Sequence, residues 1–204
     1  MANRIRFTTA MQVVEAFPEA ADDLGEVPED VTPLDHLAEL AKDMNPNPAL
    51  IFAGLALPKR EAVWWGCLVM RGMGLLDGEA GAGLGLAEAW AMHPEEDERR
   101  ACGAYAEEIY FEGPGAWIAF AAFSTSGSLA PAGLQAVPPS PEVSGKSAAM
   151  AVMMATNDED AFKRLANTRA AIACAQEFAT GSDGKQAWKD HADGKFTVEP
   201  ELVD

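Results

Sequence analysis

No stretch of the chain alternates β-branched or aromatic residues over more than four positions. Without that alternation there is no half-buried strand pattern, which argues against a sheet-based fold. Cysteine is scarce. Cys67, Cys102 and Cys174 are odd in number, widely spaced, and each inside an apolar or alanine-rich stretch. That excludes a disulfide framework and predicts free, buried thiols in a reducing cytoplasm, none in the basic, exposed setting that makes a reactive thiolate. Long hydrophobic runs are lacking too. The windows Ala49 to Leu57, Ala62 to Met70 and Ala116 to Phe123 each meet charge, glycine or proline before the roughly 18 residues that a membrane-spanning helix needs. Arg4 and Arg6 precede a short Thr8 to Phe17 segment that contains Gln12 and Glu15 and has no small-residue cleavage site, so no secretory leader is expected.

Cations are also few. Fifteen Lys and Arg against thirty-two Asp and Glu leave a net charge of −17, which opposes nucleic acid and anionic lipid alike and favours basic or neutral partners. What is present is core material: 49% of the 204 residues are hydrophobic and 23% charged, enough for one domain that folds without staples. We expect a single helical domain over residues 1–180 and a polar tail over 181–204 holding Trp188, Phe196 and a short helix.

Helix signals run along the chain. Thr8 reads as the N-cap of a helix to Phe17. Thr32-Pro33 opens another with the stripe Leu34, Leu37, Leu40, Ala41, and Asn47-Pro48 opens a third through Leu57. Pro58 starts the strongest segment, Lys59 to Leu76, apolar nearly all round and therefore central. Between these, Glu19, Asp22, Asp23, Glu26, Glu29 and Asp30 form an acidic face with Gly25 and Pro28 as breakers, which reads as a solvated, mobile linker. Gly78 to Gly85 predicts a turn or fraying before Leu86. Pro94-Glu95-Glu96 restarts a helix to about Phe111, Gly113-Pro114-Gly115 stops it, and Ala116 to Phe123 forms a short buried one. Ser124 to Glu142, rich in serine and proline, predicts a long irregular loop. Helices over Ser144 to Ala155 and from an Asp158 cap to Thr180 follow. The expected fold is all-α, an irregular bundle or stacked antiparallel helix pairs of about eight or nine helices.

Sites for chemistry are hard to find. Gly78 to Gly85 lacks the preceding strand and the Gly-Lys-Ser/Thr of a phosphate loop. His36, His93 and His191 form no metal-ligand spacing, and Ser126 lacks the Gly-x-Ser-x-Gly elbow. Glu108 and Glu112 are helix neighbours that read best as a solvated face. No catalytic residue, cofactor or metal is therefore assigned. The more informative group is Arg60 and Glu61 beside Trp64 and Trp65, which either bridge neighbouring helices or line a surface groove.

Leu57-Pro58-Lys59-Arg60-Glu61-Ala62-Val63-Trp64-Trp65, Ala87-Glu88-Ala89-Trp90, Gly115-Ala116-Trp117, Ser126-Gly127-Ser128-Leu129-Ala130-Pro131 and Val137-Pro138-Pro139 together resemble an uncharacterised family of small helical proteobacterial proteins with a Leu-Pro-Arg-Arg-Glu-Ala-Val-Trp-Trp core. The resemblance spans about Phe7 to Phe178. Lys59 stands where arginine is usual, and the Gly78 to Gly85 insert is a second departure. The resemblance implies a context of type VI secretion and its forkhead-associated regulators. Trp64 or Trp65, Trp90 and Trp117 are then expected to cluster, with the Leu129 to Pro139 loop folded over them. The expected interaction surface is Arg60, Glu61, Trp64, Trp65, Leu129, Pro131 and Pro138. The expected role is a non-enzymatic bacterial cytoplasmic adaptor, chaperone or accessory protein whose partner is a secretion component or effector. An immunity-type inhibitor that turns the acidic face on a basic toxin is the alternative, and an enzyme using Glu108 or Glu112 with Arg60 the third.

Overall fold

The computed structural model describes residues 3–131 and 133–198, and among these there is helix but no strand. Eleven α-helices and one 3-10 turn occur where eight or nine helices were expected. Two of the extra elements come from the acidic stretch. Pro18–Ala20 forms the 3-10 turn and Ala21–Leu24 forms α2, directly after α1 (Met11–Ala16). Ala20 and Leu24 are buried in the core, so the segment is anchored rather than a free linker, while its acids stay outside. α1 starts later than Thr8. Its N-cap is Ala10, with no side-chain cap, and the side chain of Gln12 instead reaches back to accept from the backbone N–H of Thr8 at 2.8 Å, which ties down the segment before the helix.

The proline-marked starts hold. α3 (Pro33–Leu40) is capped by Thr32, whose hydroxyl oxygen accepts from the Asp35 N–H at 3.2 Å. α4 (Asn47–Ala56) holds Pro48 in its first turn with Pro46 rather than Asn47 at the N-cap, α5 (Lys59–Gly72) follows Pro58 directly, and α5 buries Val63, Trp65, Cys67, Val69 and Met70. The Trp65 indole N–H donates to the Ala171 carbonyl at 3.0 Å, which satisfies the one polar atom that its burial would orphan.

Close backbone approach organises the middle of the molecule. α6 (Gly78–Met92) takes in the whole glycine-rich run; Gly78, left-handed at φ 63°, keeps a turn conformation at its start, and the glycines after it are in the helix rather than a frayed end. A Cβ on Gly83 would lie 2.2 Å from the carbonyl oxygen of Gly115 in α8 (Gly113–Phe123). The same device joins α4 to α9 (Val143–Thr156), where a Cβ on Gly54 would lie 2.3 Å from the Gly145 carbonyl oxygen. α8 packs against α5, α6, α9 and α7 (Glu96–Glu108). Between α7 and α8 the chain reverses through Tyr110 and Phe111, both left-handed at φ 53° and 58°.

α10 (Ala161–Ala179) is capped by Asp160 rather than Asp158; the Asp160 carboxylate accepts from the Phe162 N–H at 2.9 Å and the Lys163 N–H at 3.3 Å. α11 (Lys185–Ala192) is docked rather than loose. It packs on α10, buries Ala187, and sets Trp188 against the core. Phe196 lies beyond it, half-buried.

Candidate functional site

The first turn of α5 carries the charged residues singled out in the sequence, and the structure gathers Arg60, Glu61 and Trp64 at a surface cleft of about 260 Å³. Arg4 and Phe178 form its far wall, with the Arg4 guanidinium stacked 3.9 Å over the Phe178 ring. Arg60 closes the end of α6, donating through Nε to the Ala91 carbonyl at 2.6 Å and through Nη2 to that of Met92 at 3.5 Å. This is the helix-bridging role. Trp64 is the half-buried indole that meets the cleft, and Trp65, one residue on, points into the core. Lys59 donates to the Thr125 carbonyl at 3.0 Å; burial pulls its pKa down and Glu142 opposes the shift.

The loop between α8 and α9 is irregular as expected, but it does not line the cleft that Trp64 meets. Leu129 packs half-buried on the core, whereas Pro131, Leu134, Val137 and Pro138 are exposed. The loop base is held by arginines instead. Arg99, fully buried, donates to the carbonyls of Phe123 at 2.6 Å and Ser128 at 3.3 Å, and Arg100 to that of Ala130 at 2.8 Å. Ser128 Oγ accepts from the Ala130 and Val137 N–H groups and closes the loop on itself. The tryptophans share one core without clustering: among the described residues none of the aromatic ring pairs joins two indoles. Leu129, Pro131 and Pro138 are not among the residues that line the Arg60 cleft.

Glu19, Asp22, Asp23, Glu26, Glu29 and Asp30 are all exposed. Asp23 pairs with Lys146 of α9, and none of the other five is in an ion pair among the described residues. Next to that pair lies the feature the sequence reading missed, an apolar groove of about 400 Å³ floored by Trp117 and Phe120 of α8, Met150 and Met153 of α9, and Ile51 of α4. Phe111, set by the left-handed reversal, packs edge-on against Phe120 at 5.1 Å and supports that floor. α9 explains its openness. Its alanines, Ala148, Ala149, Ala151 and Ala155, are buried at close helix contacts, which leaves Met150 and Met154 outside at 39% and 38% exposure. The signal in the sequence was the size of its residues, alanines on the packed sides and methionines on the open one.

The remaining chemical groups are held in structural settings. All three cysteines are buried and free. Burial pushes the Cys67 thiol far up and those of Cys102 and Cys174 up to about 12. His36 is buried against Phe52, with ring centroids 4.8 Å apart, and burial lowers its pKa. His191 meets Asn167 at 2.9 Å and His93 is exposed. Among the described residues no three His, Cys, Asp or Glu side chains converge as metal ligands. Glu108 and Glu112 are exposed and do not line the Arg60 cleft, whose carboxylate is Glu61. An ion pair that the sequence did not suggest, Arg71 with the nearly buried Glu88, ties α5 to α6 through two hydrogen bonds, one of them 2.6 Å. No helix of the described residues is long and apolar enough to cross a membrane.

Fold and surface together define an acidic, all-helical protein with an open aromatic and methionine groove beside an anchored acidic segment. The chain belongs to a family of unknown function, DUF6931, whose family model matches residues 36–179. That span includes Arg60, the loop and the groove floor, and it begins after the acidic segment. No curated protein and no solved structure matches the chain.

Proposed function

We propose that the protein is a non-enzymatic adaptor, chaperone or accessory protein of the bacterial cytoplasm that binds another protein, in the type VI secretion setting that the sequence resemblance implies. The observation that supports this reading is the α8/α9 groove. Its floor combines aromatic rings with flexible methionines, residue types enriched at protein interfaces and suited to repacking around a partner. A second reading, an immunity-type inhibitor, is favoured by the six exposed acids from Glu19 to Asp30, five of them in no ion pair among the described residues, which would steer a basic toxin.

Affinity capture from the source bacterium separates the two. Tagged wild type is compared with Met150→Glu and with a variant in which the six acids become Asn or Gln. The adaptor reading expects a secretion component or effector that is retained by the acid-neutralised form and lost by Met150→Glu. The inhibitor reading expects a single basic protein with the opposite pattern. Absence of any partner from all three forms overturns both.

A further inference from the structure

Four surface features compete for a role. The Arg60 cleft has guanidiniums already engaged with backbone carbonyls or stacked on a ring. The 124–142 loop is closed on itself, and the acidic segment alone specifies no ligand shape. The α8/α9 groove has both shape and charge. Val143, Ser147, Met150 and Met153 follow one another along α9 at helical spacing from one end of the groove to the other. Ten residue steps at roughly 1.5 Å give a floor about 15 Å long, close to three helical turns. Strand addition has no template here, because the described residues contain no sheet edge. A helix laid along α9 with apolar side chains at i, i+3/i+4 and i+7 meets both the length and the ridged floor.

The charges around the floor select the partner's sign. Asp23, Glu142 and the cation Lys146 line the groove; Asp23 and Lys146 pair with each other, which leaves Glu142 as the uncompensated charge of the lining. Lys59, near Glu142, is half-buried and committed to the Thr125 carbonyl. Beyond Asp23 the same segment presents Glu19, Asp22 and Glu26, exposed and in no ion pair. A second copy of a chain carrying −17 is repelled here, and so is an anionic membrane. We infer that the groove seats an amphipathic helix of a partner protein whose apolar face packs on Trp117, Phe120 and Met150 and whose flank carries lysine or arginine toward the Asp23 end. This rests on the protein-binding reading above and names its partner's chemistry.

The probe is a synthetic amphipathic Leu/Lys helix of about four turns, with a Leu/Glu helix of the same pattern as its control and fluorescence anisotropy as the readout. The Leu/Lys helix is expected to bind at least about tenfold tighter than Leu/Glu, with affinity that falls as salt rises. Met150→Glu is the decisive variant. It adds an acid while spoiling the apolar floor, so docking in the groove predicts weaker binding by about tenfold, whereas adsorption to any acidic surface predicts tighter binding. Asp23→Asn with Glu142→Gln should weaken the Leu/Lys helix and leave Leu/Glu no worse. Circular dichroism melts confirm that each variant is folded, and Met150→Ser stands in if Met150→Glu is not. Unchanged or tighter binding by the folded Met150 variant overturns the inference, as does equal binding of both peptides, mass doubling of the free protein, or preference for phosphatidylserine vesicles. If the peptides fail while Met150→Glu still loses a captured partner, the helix chemistry falls and the adaptor reading stands. If both fail, both fall.

Discussion

Gly83 and Gly115 face each other across α6 and α8 so closely that a Cβ on Gly83 would sit 2.2 Å from the Gly115 carbonyl oxygen. The obstacle is backbone, which has no rotamer to escape into, so Gly83→Ala forces the helices apart. We expect a loss of about 1–3 kcal/mol in urea unfolding. Gly85, two residues along the same helix, has nothing within 4 Å of its would-be Cβ. There alanine removes only glycine's entropic cost, and Gly85→Ala should stabilise by about 0.5–1 kcal/mol. Equal effects at the two positions would mean that the glycines serve flexibility rather than contact.

That contrast shows what was legible in the sequence. Thr32-Pro33, Asn47-Pro48 and Pro58 announce helix starts because proline's fixed φ suits a first turn and its effect is local; helices begin at or next to all three, though only Thr32 makes a side-chain cap. The Gly78 to Gly85 run was misread because a glycine that permits close approach looks the same as one that permits a turn, and the difference lies in a helix some thirty residues away. The acidic stretch reads as a linker because its anchors, Ala20 and Leu24 with Val27 packed against the same core, are few among the acids. Of the candidate surface, Arg60, Glu61 and Trp64 do meet at one cleft. Which of the adjacent indoles Trp64 and Trp65 turns inward depended on α10 supplying a carbonyl at Ala171.

Arg99 lies in the core at 1% exposure and holds the start of the long loop through the Phe123 and Ser128 carbonyls. Arg99→Met keeps much of the volume and removes the donors, leaving the Phe123 carbonyl without its partner. The expected cost is about 1–3 kcal/mol, accompanied by faster limited proteolysis between residues 124 and 142. Unchanged cleavage in that window would show that the loop holds itself through Ser128.

Glu96 accepts from Arg99 first and Arg100 second, and these hydrogen bonds lower its pKa from the usual 4.5 to about 2. A carboxylate whose folded pKa lies below its unfolded value adds stability that is complete above the unfolded value and lost as pH falls through the folded one. The gap between wild type and Glu96→Gln should therefore be widest near neutral pH and shrink between about pH 4.5 and 2. With the Glu96 side chain 57% exposed, solvent screens the pair, so the gap stays below about 1 kcal/mol and narrows further in salt. A gap that does not change with pH would assign the effect of the substitution to packing.

Trp188 closes the last helix onto the end of α5, where a Cβ on Gly72 would fall 2.1 Å from the indole. The two positions are far apart in sequence, and the contact couples α11 to the central helix. Gly72→Ala should push the indole off its seat, exposing residues 185–192 to protease and costing about 1–2 kcal/mol. Trp188→Ala should release the helix in the same way. On the Trp188→Ala background, however, Gly72→Ala has no ring to strike and should cost nothing more, giving a coupling energy of about 1 kcal/mol in the double-mutant cycle. Additive losses would instead place the effect of Gly72 in the C-terminal turn of α5 itself, and α11 would then be held through Ala187 and the 2.9 Å contact between His191 and Asn167.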